Sequence, residues 1–122
     1  MEENIDGVND RRLVYRLLSR VYALLNSGDW AVRYARISDD RRLQDKFGFS
    51  ANTVGYCDNE EQVLYVDLRK DVLATIVHEC LHAIFPDKEE QEIIDLEGLV
   101  MRHMSPVQAR RLHIIAGCAL AR

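Results

Sequence analysis

Residues 71–85, DVLATIVHECLHAIF, are apolar in almost every direction a helix could present them. Such a segment predicts a helix buried in the middle of a domain, so the rest of the chain has to supply cover on several sides of it. Pro86 ends the run. Within it stand His78, Glu79 and His82 in the spacing HExxH. Four residues on a helix are just over one turn and about 6 Å of rise, so the two imidazoles leave one face and can both reach one ion. Glu79 is rotated about 100° from His78, which sets its carboxylate beside such an ion, free to take a proton from water. With four histidines in 122 residues, a shuffled chain of this composition yields roughly 0.01 matches to the pattern. Burying two imidazoles and a carboxylate among hydrocarbon is costly unless something compensates. A divalent cation compensates all three groups at once; the alternative is a separate hydrogen-bond partner for each.

A catalytic zinc ion, Zn2+, usually has three protein ligands, and two histidines leave one to be found. If the chain reverses near Pro86, residues opposite His78 and His82 fall at about 90–95 on a returning helix. The nearby carboxylates are Glu89, Glu90, Glu92 and Glu97. Helical phase places Glu90 on the inward face with Ile93 and Ile94, and Glu97 with Ile93, Ile94 and Met101, whereas Glu89 and Glu92 lean outward. Glu90 is the first choice of third ligand, Glu97 the second and His103 the third. Glu90 also stands three residues after Asp87, the spacing of a capping box, which would occupy it otherwise. His103 and His113 read as surface or helix-terminal side chains. Tyr65, on the strand before the HExxH helix, is either a packing residue or a donor to an oxyanion.

Around this centre the pattern is mixed. Leu13, Val14, Leu17, Leu18, Val21, Leu24 and Leu25 form a 3.6-residue stripe that predicts a helix over 9–26, with Asn9 or Asp10 as cap and Gly28 beyond its end. Residues 31–37 alternate imperfectly and predict a strand, followed by a polar loop over 38–45. Residues 53–57 and 62–67 are β-prone runs separated by DNEE, a hairpin in which Val63, Tyr65 and Asp67 face one way and Leu64, Val66 and Leu68 the other. Ile93, Ile94, Leu96, Val100, Met101 and Met104 continue a helical stripe to about residue 104, antiparallel to the HExxH helix. Ser105, Pro106 and Gln108 cap and open a last helix through Leu112, Ile115 and Leu120. The expected fold is α+β, a single domain over 1–122: an N-terminal helix, a small three-stranded sheet with a hairpin, the buried HExxH helix, and one or two further helices.

Composition removes several functions. A formal charge of −4, with 16 Lys+Arg interspersed among 20 Asp+Glu, argues against a nucleic-acid partner, which requires clustered cations. No apolar run approaches the roughly 20 residues of a membrane span, and MEENIDGVNDRR has neither the basic start nor the apolar stretch of a signal peptide. A cytoplasmic protein is expected. Cys57, Cys80 and Cys118 have no CxxC spacing and read as reduced, small apolar side chains.

Taken together, the hairpin with its YVDL strand, the HExxH helix and the acidic helix after it resemble the minimal zincin core of the small gluzincin-like proteins called minigluzincins. The stretch TIVHECLHAIFPDKEEQEII is similar to the corresponding segment of short bacterial and phage metallopeptidase-like proteins, over roughly residues 53–104. The resemblance implies a zincin-like metallopeptidase domain binding Zn2+ through His78, His82 and a downstream glutamate best matched by Glu90. Glu79 would then be the general base for hydrolysis of a peptide or protein substrate. The HExxHxxGxxH extension of the metzincins is absent, since Phe85 replaces its glycine and Lys88 its third histidine. Two other classes compete: a non-catalytic zinc-binding or protein-interaction module whose last two helices meet a partner, and a structural helical protein without metal.

Overall fold

α3 (Val72–Ile84) runs through the middle of the molecule and packs against a sheet on one side and three helices on others. The computed structural model describes residues 7–37, 41–48, 53–67 and 71–120. In chain order the remaining elements are α1 (Gly7–Asn26), β1 (Ala31–Ala35), α2 (Arg41–Phe47), β2 (Gly55–Asp58), β3 (Val63–Asp67), α4 (Glu90–His103) and α5 (Pro106–Cys118). Five helices and a three-stranded mixed sheet among the described residues make the fold α+β, as expected. Leu68 of the expected strand pattern lies outside the described residues.

The sheet order is β1-β3-β2, with β3 parallel to β1 and antiparallel to β2. β3 sits in the centre because both of its faces are covered: Leu64 and Val66 point into the core, Tyr65 packs on the other face, and the buried Asp67 carboxylate accepts from the Ile37 N–H at 3.1 Å. The hairpin turn is built by Asp58, whose carboxylate accepts from the Glu60 and Glu61 backbone N–H groups, 3.1 Å each. The outer edge of β1 is covered after α5, where Val32 N–H donates to the Ala119 carbonyl at 2.9 Å and Val32 bridges to Leu120. β2 is the other edge, and it borders α3.

The core joins Val14, Leu17, Leu18, Val21 and Leu25 of α1 to Val32, Leu64 and Val66 of the sheet, and to Ile76, Val77, Cys80 and Leu81 of α3, Ile93 and Val100 of α4 and Leu112 of α5. Fully burying each such side chain is worth about 1.5–3 kcal/mol. Four expectations need correction. α1 starts at Gly7, ahead of the proposed Asn9 or Asp10 cap. α2 occupies much of the expected 38–45 loop; residues 38–40 lie outside the described residues. Its polar surface hides it in sequence, but Phe47 packs on Tyr56 and Tyr65, with ring centroids 4.8 and 5.5 Å apart, and that contact anchors a helix too short to form alone. α5 ends at Cys118, before Leu120, as the chain turns to pair with β1. Of the cysteines Cys80 is buried, Cys57 half-buried and Cys118 exposed, so Cys118 is not an interior side chain. No helix among the described residues is long and apolar enough to cross a membrane.

Candidate metal centre

Asp71 starts α3 by accepting from the Ala74 backbone N–H at 3.4 Å, and Pro86 follows its C-cap residue Phe85. One helical turn then brings His78 and His82 together, with ring centroids 4.9 Å apart. Pro86 and the turn after it send α4 back along α3. The expected Asp87–Glu90 capping box does not form. Glu89 is the N-cap instead, and its N–H donates to Glu92 at 3.0 Å. Shifting the box by two residues assigns the outward-leaning Glu89 and Glu92 to the helix end and leaves Glu90 to reach across to α3.

Glu90 Oε1 lies 2.7 Å from His82 Nε2, and Oε2 lies 3.1 Å from His78 Nε2. The ligand atoms of His78, His82 and Glu90 all fall within 4.8 Å of one another. Zinc bonds of about 2.0–2.1 Å put tetrahedral ligand atoms roughly 3.3 Å apart, a spacing inside the range this group spans. The donor set of two imidazoles and one carboxylate suits zinc. Among the described residues no fourth His, Cys, Asp or Glu joins the group.

Glu97, the second-choice ligand, does a different job. Its Oε1 lies 2.8 Å from His78 Nδ1; a carboxylate only accepts, so Nδ1–H donates to it and the ring is held with Nε2 toward Glu90. His103 is not brought to the group; its Nε2 lies 3.7 Å from Asp10, tying the end of α4 to α1. His113 is exposed on α5. Tyr65 is not in the cleft either. It packs against Phe47 on the sheet face turned away from α3, because strand alternation gives the α3 side to Leu64 and Val66.

Glu79 is 6% exposed and makes no hydrogen bond among the described residues. Burial raises its carboxyl from the ordinary 4.5 to about 7; His78 opposes the shift, and Glu90 and Glu97 add to it. Gly55, on β2, explains how strand and carboxylate come so close. A Cβ there would stand 2.6 Å from Thr75 Cγ2 and 2.8 Å from Glu79 Oε2. Sequence reading missed Gly55, although a glycine inside a β-prone run is a known sign of close backbone approach.

β2 and α3 thus enclose a groove in two halves that share Gly55, His78, Glu79 and Glu90. One half, of about 510 Å³, extends past Thr53 and Asp71; the other, of about 330 Å³, extends past Asn59 and Pro86. Cys57 lines the second half, its thiol pushed up to about 12, chiefly by burial and then by Glu79 and Asp58, so it stays protonated. Compared with known proteins, the chain matches no family model, no curated protein and no solved structure.

Proposed function

We propose that the protein is a zincin-like peptidase that holds one Zn2+ through His78, His82 and Glu90 and cleaves peptide bonds in the groove beside β2. The observation that carries this reading is the convergence of His78 Nε2, His82 Nε2 and Glu90 on one point, with an unbonded buried carboxylate, Glu79, next to them. An ion bound there supplies a Lewis acid that polarises a carbonyl and makes water acidic near neutrality.

The chain's own residues do the rest. Glu97 keeps the His78 ring turned so that Nε2 faces the centre. Glu79 Oε2, standing against Gly55, accepts a proton from the attacking water and returns it to the leaving amine. β2 is an edge strand, and its main chain can pair with an extended peptide laid along the groove. The three-ligand set leaves a position for substrate, which favours an active centre over a closed structural one.

Glu79→Gln tests the assignment. Zinc content stays at the wild-type level, because Glu79 is not a ligand, and hydrolysis of a casein or peptide-pool substrate falls by about 10²–10⁴-fold, the range of a general base. A Glu79→Gln protein that retains wild-type hydrolysis contradicts the role.

A further inference from the structure

The two halves of the groove differ in chemistry. The half past Asp71 has apolar walls, Val54 and Ile94, which are 39% and 42% exposed, and a floor of Ala74 and Thr75. Into it open the carboxylates of Asp71 and Glu97, and no Lys or Arg is among its described lining residues. Each of these two carboxylates has one oxygen committed, Asp71 Oδ1 to the Ala74 N–H and Glu97 Oε1 to His78, which leaves the other oxygen for a ligand. At the inner end stands Glu79, more than nine-tenths buried, without a hydrogen-bond partner among the described residues and aimed into the cavity. The other half adds Tyr56, Cys57, Asn59, His82 and Pro86, none of them acidic.

We infer that the 510 Å³ half is a specificity pocket for a lysine or arginine side chain of the bound peptide. A ligand with an aliphatic stem and a terminal cation matches both parts of this lining. The stem lies between Val54 and Ile94, and the cation reaches the uncommitted oxygens of Asp71 and Glu97. A neutral apolar side chain would strip water from those carboxylates with nothing in return, and an acidic one would meet like charge. Arg11, Arg12 and Arg16 line a separate surface on α1. Carboxylates of Asp71, Glu79, Glu90 and Glu97 without a Lys or Arg among the described lining residues also favour approach of a cationic peptide. That the side chain belongs to a residue next to the cleaved bond rests on the peptidase reading; the pocket's preference for a cation does not.

The test uses zinc-loaded protein and blocked Ala/Ser decapeptides with one central Lys, norleucine or Glu. Binding is followed by calorimetry, and peptide integrity by mass spectrometry. The Lys peptide is expected to bind about tenfold more tightly than the norleucine peptide, the size of one charge-assisted hydrogen bond, and the Glu peptide more weakly than either. Asp71→Asn removes the charge yet keeps an N-cap acceptor for α3. It should shrink the Lys advantage to about threefold or less, with zinc content unchanged. Ile94→Lys, on a half-exposed position, sets a tethered cation at the pocket and should abolish the Lys advantage by itself. Equal binding of the three peptides, preference for Glu or norleucine, no binding of any of them, or a Lys advantage that survives both substitutions overturns the inference. Lys preference without any cleavage overturns the peptidase reading alone, and cleavage without Lys preference overturns the pocket alone.

Discussion

Ile76, Val77, Cys80 and Leu81 on one face of α3 are at most 1% exposed and belong to the hydrophobic core, whereas one position away His78, Glu79 and His82 stand at the groove. The same turn of helix therefore carries two opposite contributions. Its inner face stabilises the fold by removing apolar surface from water. Its outer face sequesters a carboxylate that burial alone disfavours, and the bonds from Glu90 and Glu97 hold imidazoles rather than backbone. One face is built for stability, and the other retains polar groups that stability would discard. Substitutions on the two faces should accordingly move different measurements.

The largest separation is expected from His82→Ala. Losing one of three ligands should lower zinc affinity on the order of 10³-fold, while the metal-free protein melts within about 1 kcal/mol of wild type because the side chain is outside the core. Metal titration and thermal unfolding in chelator measure the two effects. Leu81→Ala is the mirror image, costing about 2–5 kcal/mol of stability through the cavity it leaves. Zinc affinity of the folded fraction should hardly change, a result read from denaturant unfolding with and without the ion.

Glu79→Gln sharpens the contrast, because it should stabilise the metal-free protein. The folded-state pKa of Glu79, about 7, lies above its ordinary 4.5, so between those values the folded chain holds a proton that the unfolded chain has released. Stability therefore falls as pH rises through this window. A glutamine escapes that loss. At pH 8, in chelator, the variant should be more stable by about 2 kcal/mol, and the gap should close below about pH 4.5. Unfolding midpoints at pH 4, 6 and 8 check the sign, and a gap that widened on acidification would contradict it. The smallest effect belongs to Glu97→Gln. An amide can still accept from His78 Nδ1–H but carries no charge, so zinc affinity should drop about 10-fold to 100-fold, as is usual when a ligand's supporting partner is weakened.

How much of this was legible in the sequence follows the range of the forces involved. His78, Glu79 and His82 could be placed on one helix because helical spacing is local. The approach of Glu90 to the histidines follows from Pro86 and helical phase, yet spacing alone favours a capping box two residues before the true one, since Asp87 and Glu89 both offer a carboxylate at a plausible start. α2 stayed hidden because its order depends on Phe47 meeting Tyr56 and Tyr65, a contact between distant parts of the chain. The parallel pairing of β1 with β3 is non-local in the same way. Gly55 could be recognised only once β2 was seen against Glu79, because the absence of a side chain has meaning only beside what it makes room for. Helical phase puts both Glu90 and Glu97 toward α3, but phase alone does not say which carboxylate meets both imidazoles and which meets His78 alone.

In the proposed centre two imidazoles and one carboxylate grip a single ion with a position to spare. X-ray absorption at the zinc edge, recorded on protein loaded with zinc and passed through a desalting column, tests it directly. About one zinc per chain and a shell of nitrogen and oxygen at about 2.0–2.1 Å are expected. A sulfur shell at about 2.3 Å, or less than about 0.2 zinc per chain, would contradict it.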